Sequence, residues 1–190
     1  MAIPDHGTSI GRVTAEVVLG QLRKHNFAVL STVGDDGTPH SAGVNYGLSD
    51  PDHEVAIYVM TRRHLQKTRD IARNARVSLV IPLPRRILWF VPPPTIQLRG
   101  HAEILDWTDE AGNGIFRGFW MGRRILEAYG KSHARGETRI CFLKMTPDPV
   151  IRTYMVGTNL WELLTHMESG AARVVIPTGG SGERGAEAAT

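Results

Sequence analysis

Turn-forming residues interrupt the stretch from Phe27 to Leu105 so often that only short elements fit between them. The clusters GDDGTPH (34–40) and SDPDHE (49–54), and the triple proline Pro92–Pro93–Pro94, divide it into brief runs rich in strand-forming residues. Neighbouring strands joined by tight turns must pair antiparallel, so this punctuation favours a meander over a parallel sheet. FAVLSTV (27–33) is nearly all apolar or small and reads as a strand buried on both faces. Asp36-Gly37 offers the positive φ angles of a hairpin turn, and Pro39 marks the start of the returning strand, 40–48. EVAIYVM (54–60) is the third strand and RVSLVIPL (76–83) the fourth. From Thr95 to Leu105, Ile96, Leu98, Ala102 and Ile104 alternate with Gln97, Arg99, His101 and Glu103, which is the period of a half-buried strand. A last core strand, 139–145, continues after a TPDP turn through 150–155.

Helical spacing flanks these runs. Thr14 is a helix cap with Glu16 in the first turn, and Ala15, Val18, Leu19 and Leu22 form one apolar face. A second helix follows Thr61, with Leu65, Thr68, Ile71, Ala72 and Ala75 on one side. A third spans 108–129, capped by Thr108 and stopped by Gly130; Gly112, Gly114, Gly118 and Gly122 inside it weaken that reading or permit close packing of a neighbouring backbone. A short helix is expected at 160–167. The chain thus reads as α+β: about six mainly antiparallel strands in a small barrel with flanking helices. The expected organisation is an arm at 1–13, one domain at 14–170 and a disordered tail at 178–190.

With 42% hydrophobic residues among 190, the chain can bury a core unaided. One cysteine, Cys141, excludes an internal disulfide and suits a reducing cytoplasm, the expected location. No secretory signal and no membrane-spanning apolar run is visible. The eight histidines show no zinc spacing, so no metal is expected, and no nucleophile elbow, P-loop or dinucleotide fingerprint follows a strand.

The net charge of +3 matters through its placement. Between Thr61 and Arg76 lie Arg62, Arg63, Lys67, Arg69, Arg73 and Arg76 against a single acid, Asp70. Such a run is ordinarily a solvated helix face. Placed at a strand-to-helix junction, however, a Thr hydroxyl, a Lys and free helix N–H groups can hold a phosphate. Nucleic-acid binding by the same helix lacks interleaved aromatics and a docking motif.

The order of strand, Gly37-Thr38-Pro39 turn, two strands, Thr61-x5-Lys67, Asn74-Ala75-Arg76-Val77-Ser78-Leu79 and Arg99-Gly100-His101-Ala102-Glu103 resembles the FMN-binding split barrels related to pyridoxamine 5'-phosphate oxidase. The resemblance runs from about Ala15 to Leu105 and more weakly to Met155. It implies a split β-barrel and FMN as cofactor, or the related 8-hydroxy-5-deazaflavin coenzyme; some relatives bind haem. Thr61 and Lys67 match the family's phosphate-contacting residues, with Met60 and Arg62 beside them. Gly43 and Val44 match the strand along the isoalloxazine ring, Thr95 a flavin-contacting Gln, and Gln66 an Arg beside the Lys. The oxidase's strand-two Arg is Ala42 here, a charge that Arg62 or Arg63 could replace.

The same resemblance implies a homodimer with cofactor at the interface and Trp161 as a ring contact from the partner, although core packing would also explain Trp161. The oxidase's C-terminal R-x-N-P segment has no counterpart, which argues against vitamin B6 oxidation. The Trp89–Pro94 insertion is foreign to the oxidase and could wall a pocket or fill a contact. The resulting expectation is a flavin- or deazaflavin-dependent oxidoreductase passing hydride to or from a small organic substrate; the alternative is a non-catalytic flavin or haem module.

Overall fold

The computed structural model describes residues 13–84, 93–156 and 171–176. Trp161, the helix expected at 160–167, residues 89–92 of the insertion, nearly all of the arm and the tail lie outside the described residues.

Eight strands are present: β1 (Phe27–Val33), β2 (Pro39–Leu48), β3 (Ile57–Arg62), β4 (Arg76–Pro82), β5 (Thr95–Asp106), β6 (Ile140–Pro147), β7 (Val150–Tyr154) and β8 (Ala171–Val175). Six of them follow the order β4-β1-β2-β3-β6-β5, and pairing of β4 with β5 closes the ring. The fold is therefore an α+β split barrel. The 12-residue β5 makes the closure possible. Its first half pairs with β4 and β7, and its second half runs along β6. Strand β8 extends the sheet beyond β7.

Period-two alternation fills the barrel. Leu30, Tyr46, Ile57, Leu79, Leu98, Leu143 and Ile151 are buried in one cluster. Helix α1 (Ala15–Lys24) adds Val18 and Leu22 to it; its cap is Thr14, whose hydroxyl oxygen accepts the Val17 N–H at 3.3 Å. The Tyr46 hydroxyl donates to the Leu22 carbonyl at 2.9 Å, so this buried phenol ties α1 to the barrel.

Strand β3 is buried on both faces for a different reason. Ile57 and Val59 turn into the barrel, while Tyr58 and Met60 meet a second core with Phe116, Ile140 and Phe142. Helices α3 (Glu110–Arg117) and α4 (Trp120–Ala134) form the lid of that second core.

The barrel opens between β2 and β3. Their ladder consists of Tyr46–Val59, Gly47–Tyr58 and Leu48–Ile57. Beyond it, residues 39–45 of β2 pair with β1, and residues 60–62 of β3 pair with β6. Two strand edges thus diverge at Gly43–Asn45 and Met60–Arg62.

Several boundaries differ from the sequence expectations. The third strand runs past Thr61 to Arg62, and the helix after it, α2 (Gln66–Arg73), starts only after a turn. Thr61 is therefore a strand residue, not a helix-terminal one: its ladder with Cys141 outcompetes the helical spacing. The expected 108–129 helix is two helices. Asp109, not Thr108, caps the first by accepting the Gly112 N–H at 2.7 Å; Thr108 is already engaged with Asp106. Gly130 does not stop the second, which continues to Ala134. The corner between them needs glycine, since a Cβ at Gly122 would lie 2.2 Å from the Phe116 carbonyl oxygen. In the 34–38 hairpin Gly37 alone takes positive φ, at 81°, while the Asp36 carboxylate accepts from the Thr38 N–H and hydroxyl. Strand β8, with the short mixed sequence AARVV, was not anticipated.

Candidate functional site

Thr61 sits at the C-terminal end of β3, fully buried, opposite Cys141 of β6, which in turn lies opposite Asp106 of β5. The chain then turns through 63–65, held by the Arg63 N–H on the Arg139 carbonyl at 2.7 Å and by the Thr68 hydroxyl on the Arg62 carbonyl at 3.0 Å. This turn delivers Lys67 in the first turn of α2. Lys67 is half-buried, and that burial lowers the pKa of its ammonium, with Cys141 acting weakly the other way. Burial pushes the Cys141 thiol up to about 11, while Arg63 and Lys67 pull it down and Asp106 pushes it up. Thr61, Arg63, Lys67, Cys141 and Asp106 therefore share one end of the barrel, within electrostatic reach of one another. The Arg63–Asp106 separation of 3.9 Å, between two exposed side chains, is worth little in stability.

A buried carboxylate fixes the helix that carries Lys67. Asp70 has no exposed surface. It accepts from the Thr32 hydroxyl at 2.7 Å, His40 Nδ1 at 2.9 Å and Gln66 Nε2 at 2.8 Å. Burial raises its pKa, but these three hydrogen bonds outweigh that effect and hold the carboxyl below its usual range. With Ile71 in the barrel core, Asp70 pins α2 to β1 and β2. Sequence reasoning missed Thr32, His40 and Asp70 as a unit. The available signal was the one acid in a basic helix, adjacent to its buried Ile.

The remaining candidates are placed unevenly. The Gln66 amide is engaged with Asp70 and with Arg69, the latter at 2.7 Å. Arg62 turns toward α4, its guanidinium 4.9 Å from the centre of the Tyr129 ring and 3.7 Å from Glu137. Met60 packs in the second core and Val44 in the barrel core, so both present main chain only. Gly43 is exposed, and a Cβ there would lie 3.1 Å from the Phe27 ring. Thr95 pairs with Pro82 and Tyr154 at the other end of β5's ladder. Gly43 aligns with Val29, Val29 with Val80, and Val80 with Gln97. Three such steps amount to roughly 14 Å at the usual strand spacing. One copy of the chain does not place Gly43 and Thr95 side by side.

The face between them has no helix over it among the described residues. Phe27, Val150, Tyr154 and Val175 are exposed there, with Val29 and Val80 half-exposed and Ser31 hydrogen-bonded to Ser41 at 2.9 Å. Among the described residues no group of three His, Cys, Asp or Glu could hold a metal, and no helix is long and apolar enough to cross a membrane. What the arrangement offers is a half-buried cation at the end of the barrel where Thr61, Cys141 and Asp106 align and the edges of β2 and β3 part.

The family model described as pyridoxamine 5'-phosphate oxidase matches residues 14–152. No curated protein matches the sequence. Among solved structures, a haem-binding protein from Mycobacterium smegmatis superposes with a TM-score of 0.63 at 16% identity, covering 87% of this chain and 59% of that one. The chain thus spans less than two thirds of that relative. HutZ, a haem storage protein of Vibrio cholerae, gives 0.55 at 14% identity, covering 73% of this chain and 94% of its own. The conserved hypothetical protein Rv2991 of Mycobacterium tuberculosis gives 0.58 at 18% identity, covering 77% and 88%. Identities this low speak to the fold alone.

Proposed function

Since the chain belongs to the pyridoxamine 5'-phosphate oxidase family, we propose that it is a flavin- or deazaflavin-dependent oxidoreductase that anchors the cofactor's phosphate at Thr61 and Lys67. The observation that carries this reading is the half-buried Lys67. Desolvation makes its charge costly, and Arg63 adds a second cation to the cluster it forms with Thr61 and Cys141, while the nearby Asp70 is already engaged by Thr32, His40 and Gln66. A phosphate would offset that cost through charge-assisted hydrogen bonds. The donor set fits such a group at that end. Arg63 fits the missing strand-two arginine better than Arg62, which is held by Tyr129 and Glu137.

The diverging edges of β2 and β3 support the rest of the assignment. Main chain at Gly43–Val44 is free of a β3 partner, and the space a Gly43 side chain would take is bordered by the Phe27 ring, against which a flat ring would stack. When bound, a flavin or deazaflavin supplies hydride chemistry. The chain's own part is to fix the phosphate, align the ring and exclude water. The mixed face around Val29, Val80 and Tyr154, which no helix covers among the described residues, is the surface for the proposed homodimer, in which Thr95 of a second copy would approach the ring.

A second reading, a haem-binding module, rests on His40. Its Nδ1 is held by buried Asp70, an orientation of the kind that prepares histidine for a metal ion. Absorption spectra of the purified protein titrated with FMN, the deazaflavin coenzyme and haemin separate these readings. Saturable flavin or deazaflavin binding followed by reduction with a nicotinamide or reduced-deazaflavin donor is the expected result. A sharp haem band that His40→Ala removes would replace it with the second reading. Binding of none of the three would defeat both.

A further inference from the structure

A groove of about 380 Å³ opens between the end of α1, the C-terminal end of β2 and the α3–α4 corner, with no residue of α2 in its lining. That volume lies within the roughly 300–1,000 Å³ usual for small-ligand sites. Its floor is apolar. Leu22 and Tyr46 are buried there, and the Tyr46 hydroxyl is already spent on the Leu22 carbonyl. Gly47 closes the floor, because Ile115 rests where a side chain would otherwise stand: its Cγ2 is 2.4 Å from a Cβ built on Gly47. Phe119 and Met121 form the wall, with Trp120 beside them.

Trp120 is 62% exposed, the largest apolar side chain left open to solvent among the described residues. An indole so placed loses contact area that a ligand would restore. The opposite rim is basic, with Arg23 and Lys24, both exposed. As the last residues of α1 they answer its dipole, a role that needs no ligand. Their position also sets both on the rim of the groove.

We propose that this groove binds a small amphipathic anion: an aromatic or acyl body against Ile115, Phe119 and Trp120, with one carboxylate or sulfonate at Arg23 and Lys24. The site is independent of the cofactor reading and uses none of its residues.

The test is a titration with 1-anilinonaphthalene-8-sulfonate, read by its emission and by energy transfer from tryptophan. One saturable site per chain is expected, with affinity about tenfold lower in Trp120→Ala and in the Arg23→Gln/Lys24→Gln pair, each tenfold being about 1.4 kcal/mol. The uncharged N-phenyl-1-naphthylamine should be insensitive to the charge substitutions but not to Trp120→Ala. Competition with dodecanoate and with 2-naphthoate identifies the acyl or the aromatic source, and displacement by either supports the site. Displacement by neither overturns it. So does unchanged probe affinity in Trp120→Ala, or an equal loss in Val175→Ser, an exposed apolar residue elsewhere. A groove that accepts the probe only after dilution of a dimer would belong to a second copy and would also overturn the proposal. Trp120 is exposed, so its truncation leaves the fold intact, and FMN titration of the same variant reports on the cofactor site separately.

Discussion

The two sides of the barrel solve the problem of an exposed sheet differently. Over β3 and β6, helices α3 and α4 bury Tyr58, Met60 and Phe142 against Phe116, so these strands are apolar on both faces. On the outward face of β1, β4, β7 and β8 no described helix lies, and the residues there mix Phe27, Val29 and Tyr154 with Ser31, Ser78 and Arg152. The covered side is finished within one chain. The bare side is neither fully polar nor a core, and its exposed Phe27, Tyr154 and valines are what the proposed homodimer would cover. The proposed phosphate site falls where the two sides separate, at the parted edges of β2 and β3.

The comparison can be broken most readily by truncating one aromatic on each side. Phe142 touches the Phe116 and Tyr58 rings, at 5.5 and 6.4 Å between centroids, and lies under Gly112. Phe142→Ala should cost about 3–5 kcal/mol in urea unfolding. Phe27→Ala, 47% exposed, should cost less than about 1 kcal/mol. Equal losses would erase the distinction between the sides.

Next in size is the pin between α2 and the barrel. Asp70→Ala leaves Thr32 and His40 without their acceptor and should cost about 2–3 kcal/mol in the same assay. Asp70→Asn, which keeps an acceptor oxygen, should recover part of that loss.

The bare side is sharpened by Val29→Asp, half-exposed and central to that face. Sedimentation velocity should show dimer converting to monomer, with unfolding stability changed by less than about 1 kcal/mol. A wild-type monomer at working concentrations would remove the dimer from the account.

The smallest expected effect is acidic. Hydrogen bonds from Arg139 hold the Glu137 carboxyl down at about 2. A group depressed in the folded state stabilises above its unfolded value and loses that contribution as pH falls toward the folded one. Stability should therefore decline as pH drops below the ordinary carboxylate range, with Asp70 contributing in the same direction. Glu137→Gln should flatten part of the slope in unfolding curves taken between pH 6 and pH 3.

Much of the barrel was legible because its signals are local. The alternation from Ile96 to Ile104, the Gly37 turn and the Thr14 cap each act within a few residues. What was not legible depends on partners distant in sequence. Thr61 is a strand residue because Cys141, far along the chain, pairs with it. The break in the helix expected at 108–129 is local by contrast: Gly122 admits the Phe116 carbonyl at the corner, a close approach its glycines allowed for. Asp70 resembles an ordinary helix acid until Thr32 and His40 arrive from the β1–β2 hairpin. At the candidate site, Lys67 was singled out by the resemblance that Thr61-x5-Lys67 carries, and its burial was not visible. Nor was it visible that Gln66 and Arg62 would be engaged elsewhere.

The central claim is that Lys67 receives a phosphate, and paired titrations with FMN and riboflavin test it directly, since the two differ only in that group. In the wild-type protein FMN should bind at least about 100-fold more tightly than riboflavin, close to 2.7 kcal/mol of preference. In Lys67→Ala that preference should shrink to a few-fold, with riboflavin affinity and melting temperature unchanged. An FMN preference that survives the loss of Lys67, or is absent from the wild type, would contradict the account.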